Sequence, residues 1–300
     1  MDILLKNHSK IAIICPSGIG DGLIFMTLAY NLAQNGHHVI LYSAALSPLA
    51  NWFPQVPISS ELGKFSHSLP YSSSELDYVF VADHSIDITT QQTIKNYIPI
   101  SKKLFNRNKT IVDNLVNICH RGLHLSNVAK QNGITIPYTN LIHRQYENRI
   151  ALHQLSADPE KNWPLKKFIQ LAYELEKMKF KPVFIMSPDE REKYLTQIPK
   201  QFEIPLFNTL NDTAIYIYES GWMIGNDSAI GHLASNLKIP TLSLFRVKSK
   251  AKLWRPGFGH NQFVTPFIRI PGSQGRAAWK RLLSVHRVLR AFRHQIRQQL

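Results

Sequence analysis

The run Ile11-Ala12-Ile13-Ile14-Cys15-Pro16-Ser17-Gly18-Ile19-Gly20-Asp21-Gly22 decides the fold class. Ile11 to Cys15 is continuously apolar, the pattern of a strand covered on both faces in a parallel sheet. Pro16 to Gly20 reads as a tight turn. From Leu23 to Gln34 the apolar positions Leu23, Met26, Tyr30 and Ala33 follow helical spacing, and Gly36 closes the helix. Val39 to Tyr42 and Tyr78 to Ala82 read as further strands. A strand, helix, strand rhythm implies a parallel sheet with crossover helices. Asp83 to Ile142 is less regular, with a helix expected over Asn114 to Gln131.

The rhythm restarts near residue 150. Arg149–Leu152, Pro182–Met186, Trp222–Gly225 and Pro240–Phe245 read as strands, and Leu165–Lys177 and Asp227–Leu237 as helices. A single long helix is expected from Ala278 to Leu300, with Leu282, Val285, Leu289, Phe292 and Ile296 on one stripe. The expectation is two α/β units, residues 1–145 and 146–300, with ligands held at the carboxyl ends of their strands.

The 300 residues carry 35 Lys and Arg against 20 Asp and Glu, a net charge of +15. The excess is uneven, because Asp227 is the last acid and fourteen Lys or Arg follow it. Such asymmetry calls for an anionic partner: nucleic acid, a phospholipid surface or a phosphorylated substrate. The 44% hydrophobic content excludes a disordered or collagen-like chain. Two cysteines, Cys15 and Cys119, exclude a disulfide scaffold. Met1 to Lys10 does not read as a signal peptide, and no segment has the ~18 apolar residues of a membrane span. A cytoplasmic protein is expected.

Three strand-to-helix segments could carry chemistry. In Gly18-Ile19-Gly20-Asp21-Gly22 the glycines allow a close backbone approach, and the helix that follows offers free N–H groups to an anion. It fits a dinucleotide fingerprint poorly, since the second strand ends Tyr42-Ser43 with no acid to hold a ribose. Asp21 could cap the helix or act as a base. The loop from His153 to Pro164 offers Ser156 and Lys161 before a helix, a set suited to phosphate, though a plain solvated loop would look the same. In Gly225-Asn226-Asp227-Ser228-Ala229-Ile230-Gly231-His232, Asp227 is either the helix cap or part of a nucleotide pocket, and His232 follows one turn after Ser228. No third ligand accompanies Asp227 and His232, so a metal site is not expected.

Together these segments resemble the ADP-heptose:lipopolysaccharide heptosyltransferase family, glycosyltransferase family 9. The residues that carry the resemblance are Gly20-Asp21, Lys161-Asn162-Trp163-Pro164, Asn226-Asp227-Ser228 with His232-Leu233-Ala234, and Pro240-Thr241 with Leu244-Phe245. The resemblance implies a GT-B fold, an α/β architecture of two Rossmann-like domains with a cleft between them, whose final helix, here about 278–300, returns to the first domain. It implies a bacterial, metal-independent, inverting enzyme that takes a nucleotide sugar, ADP-heptose, as donor. By the same resemblance Asp21 is the catalytic base, and Gly18, Gly20, Ser156, Lys161, Asp227, Ser228, Ala229 and His232 lie on the donor side. The implied acceptor is a phosphorylated glycolipid of lipopolysaccharide-core type, which would bring the chain to an anionic membrane surface. Ala229 and Arg246 depart from the family, which usually has glycine at both positions. Two other readings stand beside this one: a catalytically silent GT-B-like binding or assembly protein, and a nucleic-acid binder, for which no reading module is present.

Overall fold

The computed structural model describes residues 2–60, 75–82, 96–268, 270 and 272–299, with 273–276 described by their backbone alone. It divides into two compact units, Met1–Thr139 and Asn140–Leu300. The second unit begins before residue 146 because the preceding segment is already bonded into it. Arg144 N donates to Tyr218 O at 3.0 Å, Tyr146 N donates to Glu219 O at 2.9 Å, and His143 Nε2 donates to Leu237 O at 3.0 Å.

In the first unit, β1 (Lys10–Ile14), β2 (His38–Tyr42), β3 (Ile58–Ser59), β4 (Tyr78–Ala82) and β5 (Tyr97–Ile100) form one parallel sheet in the order β3-β2-β1-β4-β5. The apolar run of β1 puts it at the centre, buried on both faces. The chain leaves β1 toward β2 and β3, then crosses to β4 and β5, so the order reverses between β1 and β4. Helix α1 (Ile19–Gln34) starts within the glycine segment, earlier than its apolar pattern suggests.

The helix expected over Asn114 to Gln131 is shorter: α2 runs Ile111–Asn117. A Thr110–Asp113 capping box sets its start. One wide turn, Ile118–Gly122, ends it, with Leu123 N donating to Ile118 O. The irregular chain beyond is held by α1. The Asn31 amide donates to Ala129 O and accepts from Ala129 N, and Asn35 does the same with Asn127. Cys15 and Cys119 are buried free thiols. Burial pushes their pKa values up to about 11 and about 12, so neither is a reactive thiolate.

The second unit repeats the plan. Strands β6 (Tyr146–His153), β7 (Lys181–Phe184), β8 (Ser220–Asn226), β9 (Thr241–Leu244) and β10 (Asn261–Val264) form a parallel sheet in the order β10-β9-β8-β6-β7. Its reversal lies between β6 and β8. Helix α3 (Leu165–Lys177) buries Phe168, Leu171, Ala172 and Leu175, the face its spacing predicts. Four helices follow along the chain: α4 (Pro188–Tyr194), α5 (Leu210–Tyr218), α6 (Ala229–Asn236) and α7 (Lys248–Trp254).

The C-terminus is two helices rather than one, α8 (Gly272–Leu282) and α9 (Val285–Arg297). Ser284 is extended and its hydroxyl accepts from Arg287 N, so it caps α9 and breaks the stripe. Leu282 is therefore exposed. Lys167 Nζ donates to the carbonyls of Lys280, Arg281 and Leu283, which closes the end of α8 with a cation. Val285, Val288, Leu289 and Phe292 lie in the second unit's own core, with Phe292 edge-on to Phe180 and Trp222.

Strand β6 carries a register shift between Tyr146 and Ile150 where it pairs with β8. The carbonyl of Glu147 there occupies the space that a Cβ on Gly221 would need. Gly221→Ala is expected to destabilise the chain by about 3 kcal/mol or more, since backbone rather than a side chain must yield. The midpoint of urea unfolding reads it, and an unchanged midpoint would refute the packing described.

Candidate functional site

In open parallel sheets, ligands bind beyond the carboxyl ends of the strands where the strand order reverses. In the second unit that place lies between His153, ending β6, and Asn226, ending β8. The sequence-predicted residues of this unit gather there. Asp158 caps the single turn Pro159–Lys161, accepting from Glu160 N at 2.9 Å. Ser156 Oγ lies 2.8 Å from Asn162 Oδ1 and 2.9 Å from Asp158 O. The loop is thus folded on itself, and it presents Lys161, whose Nζ is 2.8 Å from Asp227 Oδ2.

Asp227 does not cap the next helix. Ser228 is the N-cap of α6, yet its side chain makes no capping bond. Its Oγ instead meets His153 Nδ1 at 3.0 Å, across the reversal point. Ala229 is the first helical residue, so the N–H groups of the first turn have no side-chain cap. His232 lies one turn on and is buried, with Asp227 and Lys161 close enough to act on its charge. Burial holds its pKa below the usual histidine value, with the Asp227 carboxylate opposing. Burial pushes His153 down to about 4. Both rings are therefore neutral near pH 7.

In the first unit the same geometry recurs after β1. Gly18 is the N-cap of α1, and Gly20 and Asp21 lie in its first turn rather than in a preceding loop. The Asp21 carboxylate folds back over Gly18, so closely that a Cβ there would lie 2.7 Å from Asp21 Oδ2. Three residues into the helix, a carboxylate is stabilised as an anion by the helix dipole. Gly22 serves packing: a Cβ on it would lie 2.9 Å from Ser43 Oγ and 3.2 Å from Leu46. Gly18, Gly20 and Asp21 thus sit together in one unit, and Ser156, Lys161, Asp227, Ser228, Ala229 and His232 in the other.

Two contributors escape a reading by residue type. The Asn226 amide accepts from Trp163 N at 3.1 Å and donates to Gln154 O at 2.6 Å, tying the loop to β8. His153 orients Ser228. Each is the last residue of a central strand, and although Asn226 stands in the Asn226-Asp227-Ser228 motif, the motif does not reveal these bonds. Arg246 pairs with Glu160 at 3.1 Å and so buttresses the same loop. Among the described residues no group of three or more His, Cys, Asp or Glu is placed to hold a metal ion. Among them, too, no helix is long and apolar enough to cross a membrane.

The model of glycosyltransferase family 9 (heptosyltransferase) matches residues 64–265. The chain is also similar in structure to E. coli ADP-heptose lipopolysaccharide heptosyltransferase II. The two are 16% identical over 97% of this chain and 99% of that one, with a TM-score of 0.69. A glycosyl transferase family 9 protein from Veillonella parvula is 15% identical over 99% and 100% of the two chains, with a TM-score of 0.72. E. coli heptosyltransferase WaaC with ADP is 13% identical over 95% and 99%, with a TM-score of 0.68. No curated protein matches the sequence. At these identities the structural likeness is one of fold, and the fold is GT-B.

The two buried histidines make stability depend on pH. Below pH 6.5 the unfolded chain protonates both, while the folded chain keeps them neutral, so stability is lost as pH falls. For His153 the loss runs from about 6.5 down to about 4 and amounts to roughly 3 kcal/mol when complete. Denaturant midpoints between pH 7 and 4.5 are expected to fall, and the fall is expected to be smaller in His153→Asn. An equal slope in the variant would show that His153 is not held neutral.

Proposed function

The chain belongs to glycosyltransferase family 9, the heptosyltransferases, and is a glycosyltransferase; from that premise we propose that it transfers heptose from ADP-heptose to a phosphorylated glycolipid acceptor of lipopolysaccharide-core type. The observation that carries the reading is the Lys161–Asp227 pair beside the uncapped start of α6 at the strand reversal. A lysine and a row of free N–H groups suit a diphosphate. The Asp227 carboxylate holds Lys161 in place until the donor arrives. Support also comes from WaaC, which has been solved with ADP and with ADP-2-deoxy-2-fluoro heptose.

In this reading an acceptor hydroxyl attacks the anomeric carbon and Asp21 takes its proton. The bond from that carbon to the diphosphate oxygen breaks, and the electron pair leaves with ADP. Lys161 and the first turn of α6 neutralise the charge that grows there, with no metal ion required. Displacement from the face opposite the leaving group inverts the anomeric centre. Gly18 and Gly20 let backbone approach the substrates. Ser156, Ser228 and Ala229 line the phosphate side, with neutral His232 behind them. The acceptor's lipid places the enzyme on the cytoplasmic face of an anionic membrane as a peripheral protein.

Two substitutions test the roles separately. Asp21→Asn is expected to keep ADP affinity and lower turnover by about 10²–10⁴; near-normal turnover would remove Asp21 as the base. Lys161→Ala is expected to weaken ADP binding by roughly 1.5–3 kcal/mol, the scale of a charged hydrogen bond. Calorimetry showing unchanged ADP affinity would remove Lys161 from the donor site.

A further inference from the structure

We propose that a groove beside α9 is the membrane-docking face, holding the headgroup of an anionic phospholipid while Phe267 and Ile268 enter the bilayer interface. The proposal rests on the peripheral membrane contact inferred above and names the surface that makes it. The groove, of about 760 Å³, lies wholly in the second unit. Arg246 and Lys248 reach it from the segment after β9, and Arg287, Arg290 and His294 from α9. Residues 262–268, from β10 and the segment after it, complete its lining. That volume suits a headgroup with its glycerol.

Two observations define the ligand. The first is charge. Every lining residue follows Asp227, the last acid of the chain, so the groove brings four Lys or Arg together with no carboxylate. Glu160 reaches its edge through the pair with Arg246, and three guanidinium or ammonium groups remain beyond that pair. The second is apolar exposure. Phe267 is 80% exposed and Ile268 66%, side by side in the same lining. Arg287 links the two features: its Nε donates to Thr265 O at 2.6 Å, and its guanidinium stands 3.3 Å from the centre of the Phe267 ring.

A molecule that satisfies both halves is anionic at one end and apolar at the other, and a bilayer of anionic phospholipid presents that boundary as a plane. A soluble phosphate ester would use the cations and leave Phe267 and Ile268 in water. A second copy of the chain would bring another +15 of like charge. A single-stranded nucleic acid would stack bases on aromatic faces, but Phe267 already carries Arg287 on its ring and Ile268 offers no ring.

Co-sedimentation of the full chain with vesicles tests this. Phosphatidylcholine vesicles with and without phosphatidylglycerol are compared, at low and high salt. The unmodified protein is expected to bind only the phosphatidylglycerol vesicles, and high salt to weaken that binding. The double variant Phe267→Ser, Ile268→Ser keeps every charge and is expected to bind roughly tenfold more weakly or less. Arg287→Gln with Arg290→Gln is expected to lose binding by roughly tenfold as well. Unchanged ADP affinity and melting temperature in both variants show that the loss is not unfolding. If the unmodified protein ignores anionic vesicles, the peripheral reading and this face fall together. If it binds and the Phe267, Ile268 variant binds equally well, the face is wrong while peripheral contact stands. Tight binding of a short RNA, lost in the same variants, would assign the groove to nucleic acid and overturn the proposal.

Discussion

One buried side chain, the amide of Asn226, governs how the loop from Gln154 to Trp163 meets the sheet. Beyond the last ladder position of β6 and β8, the backbone groups of the loop lose their strand partners and must find others. Asn226 supplies two, accepting from Trp163 N and donating to Gln154 O. The two ends of the loop are thereby fixed to one residue of a central strand. Ser156, Asp158 and Lys161 lie between those ends, so their positions follow from that attachment. Trp163 carries the constraint further. Its ring fills the core against Phe168, and its Nε1 donates to Leu283 O at the corner between α8 and α9. The packing of the C-terminal helices and the shape of the loop thus share one anchor.

The electrostatics of the second unit depend on where its acids stand. Asp227 is the last carboxylate in the sequence and is mostly buried, while its partner Lys161 is nearly half exposed. A pair of this exposure contributes at most about 1 kcal/mol to the fold. An arriving anion can therefore take Lys161 over at little cost to stability. Behind the pair, two neutral buried rings keep positive charge from accumulating. His153 engages Ser228 Oγ, which leaves the first turn of α6 without a side-chain cap. The same residues thus shape this end of the sheet and leave the start of α6 without a side-chain cap.

Beyond Asp227 the chain builds a different surface. Lys167 and Ser284 together turn one amphipathic stretch into two helices, by closing the end of the first and capping the second. This break lets α9 lay Val288, Leu289 and Phe292 into the core while Arg290, Arg293 and Arg297 stay exposed. Of these bases Arg290 lines the groove that Arg246 and Lys248 also reach. Arg287 is half-buried against Thr265 and Phe267, and Arg269 falls outside the described residues.

Where burial pattern alone selects the structure, the residues were enough. The apolar run Ile11–Ile14, the strand Tyr78–Ala82 and the helix Leu165–Lys177 read directly, because a period of hydrophobicity is a local property. The glycine, lysine and Asp-Ser segments were legible too, since their chemistry lies in residue type and in their place after a strand. Other features depend on partners distant in sequence, and only the folded chain reveals them. Strands β5 and β10 are short, carry polar or proline residues, and exist because a neighbouring strand supplies their hydrogen bonds. The irregular chain near Asn127 and Ala129 takes its course from Asn31 and Asn35, more than ninety residues earlier. The division of the last helix depends on Lys167, more than a hundred residues before it. Asn226 stands in a motif, but the bonds its amide makes, and the one His153 makes, could not be read from it; they follow from the strand order reversing between β6 and β8, and strand order is set by the packing of whole elements rather than by any local run of side chains.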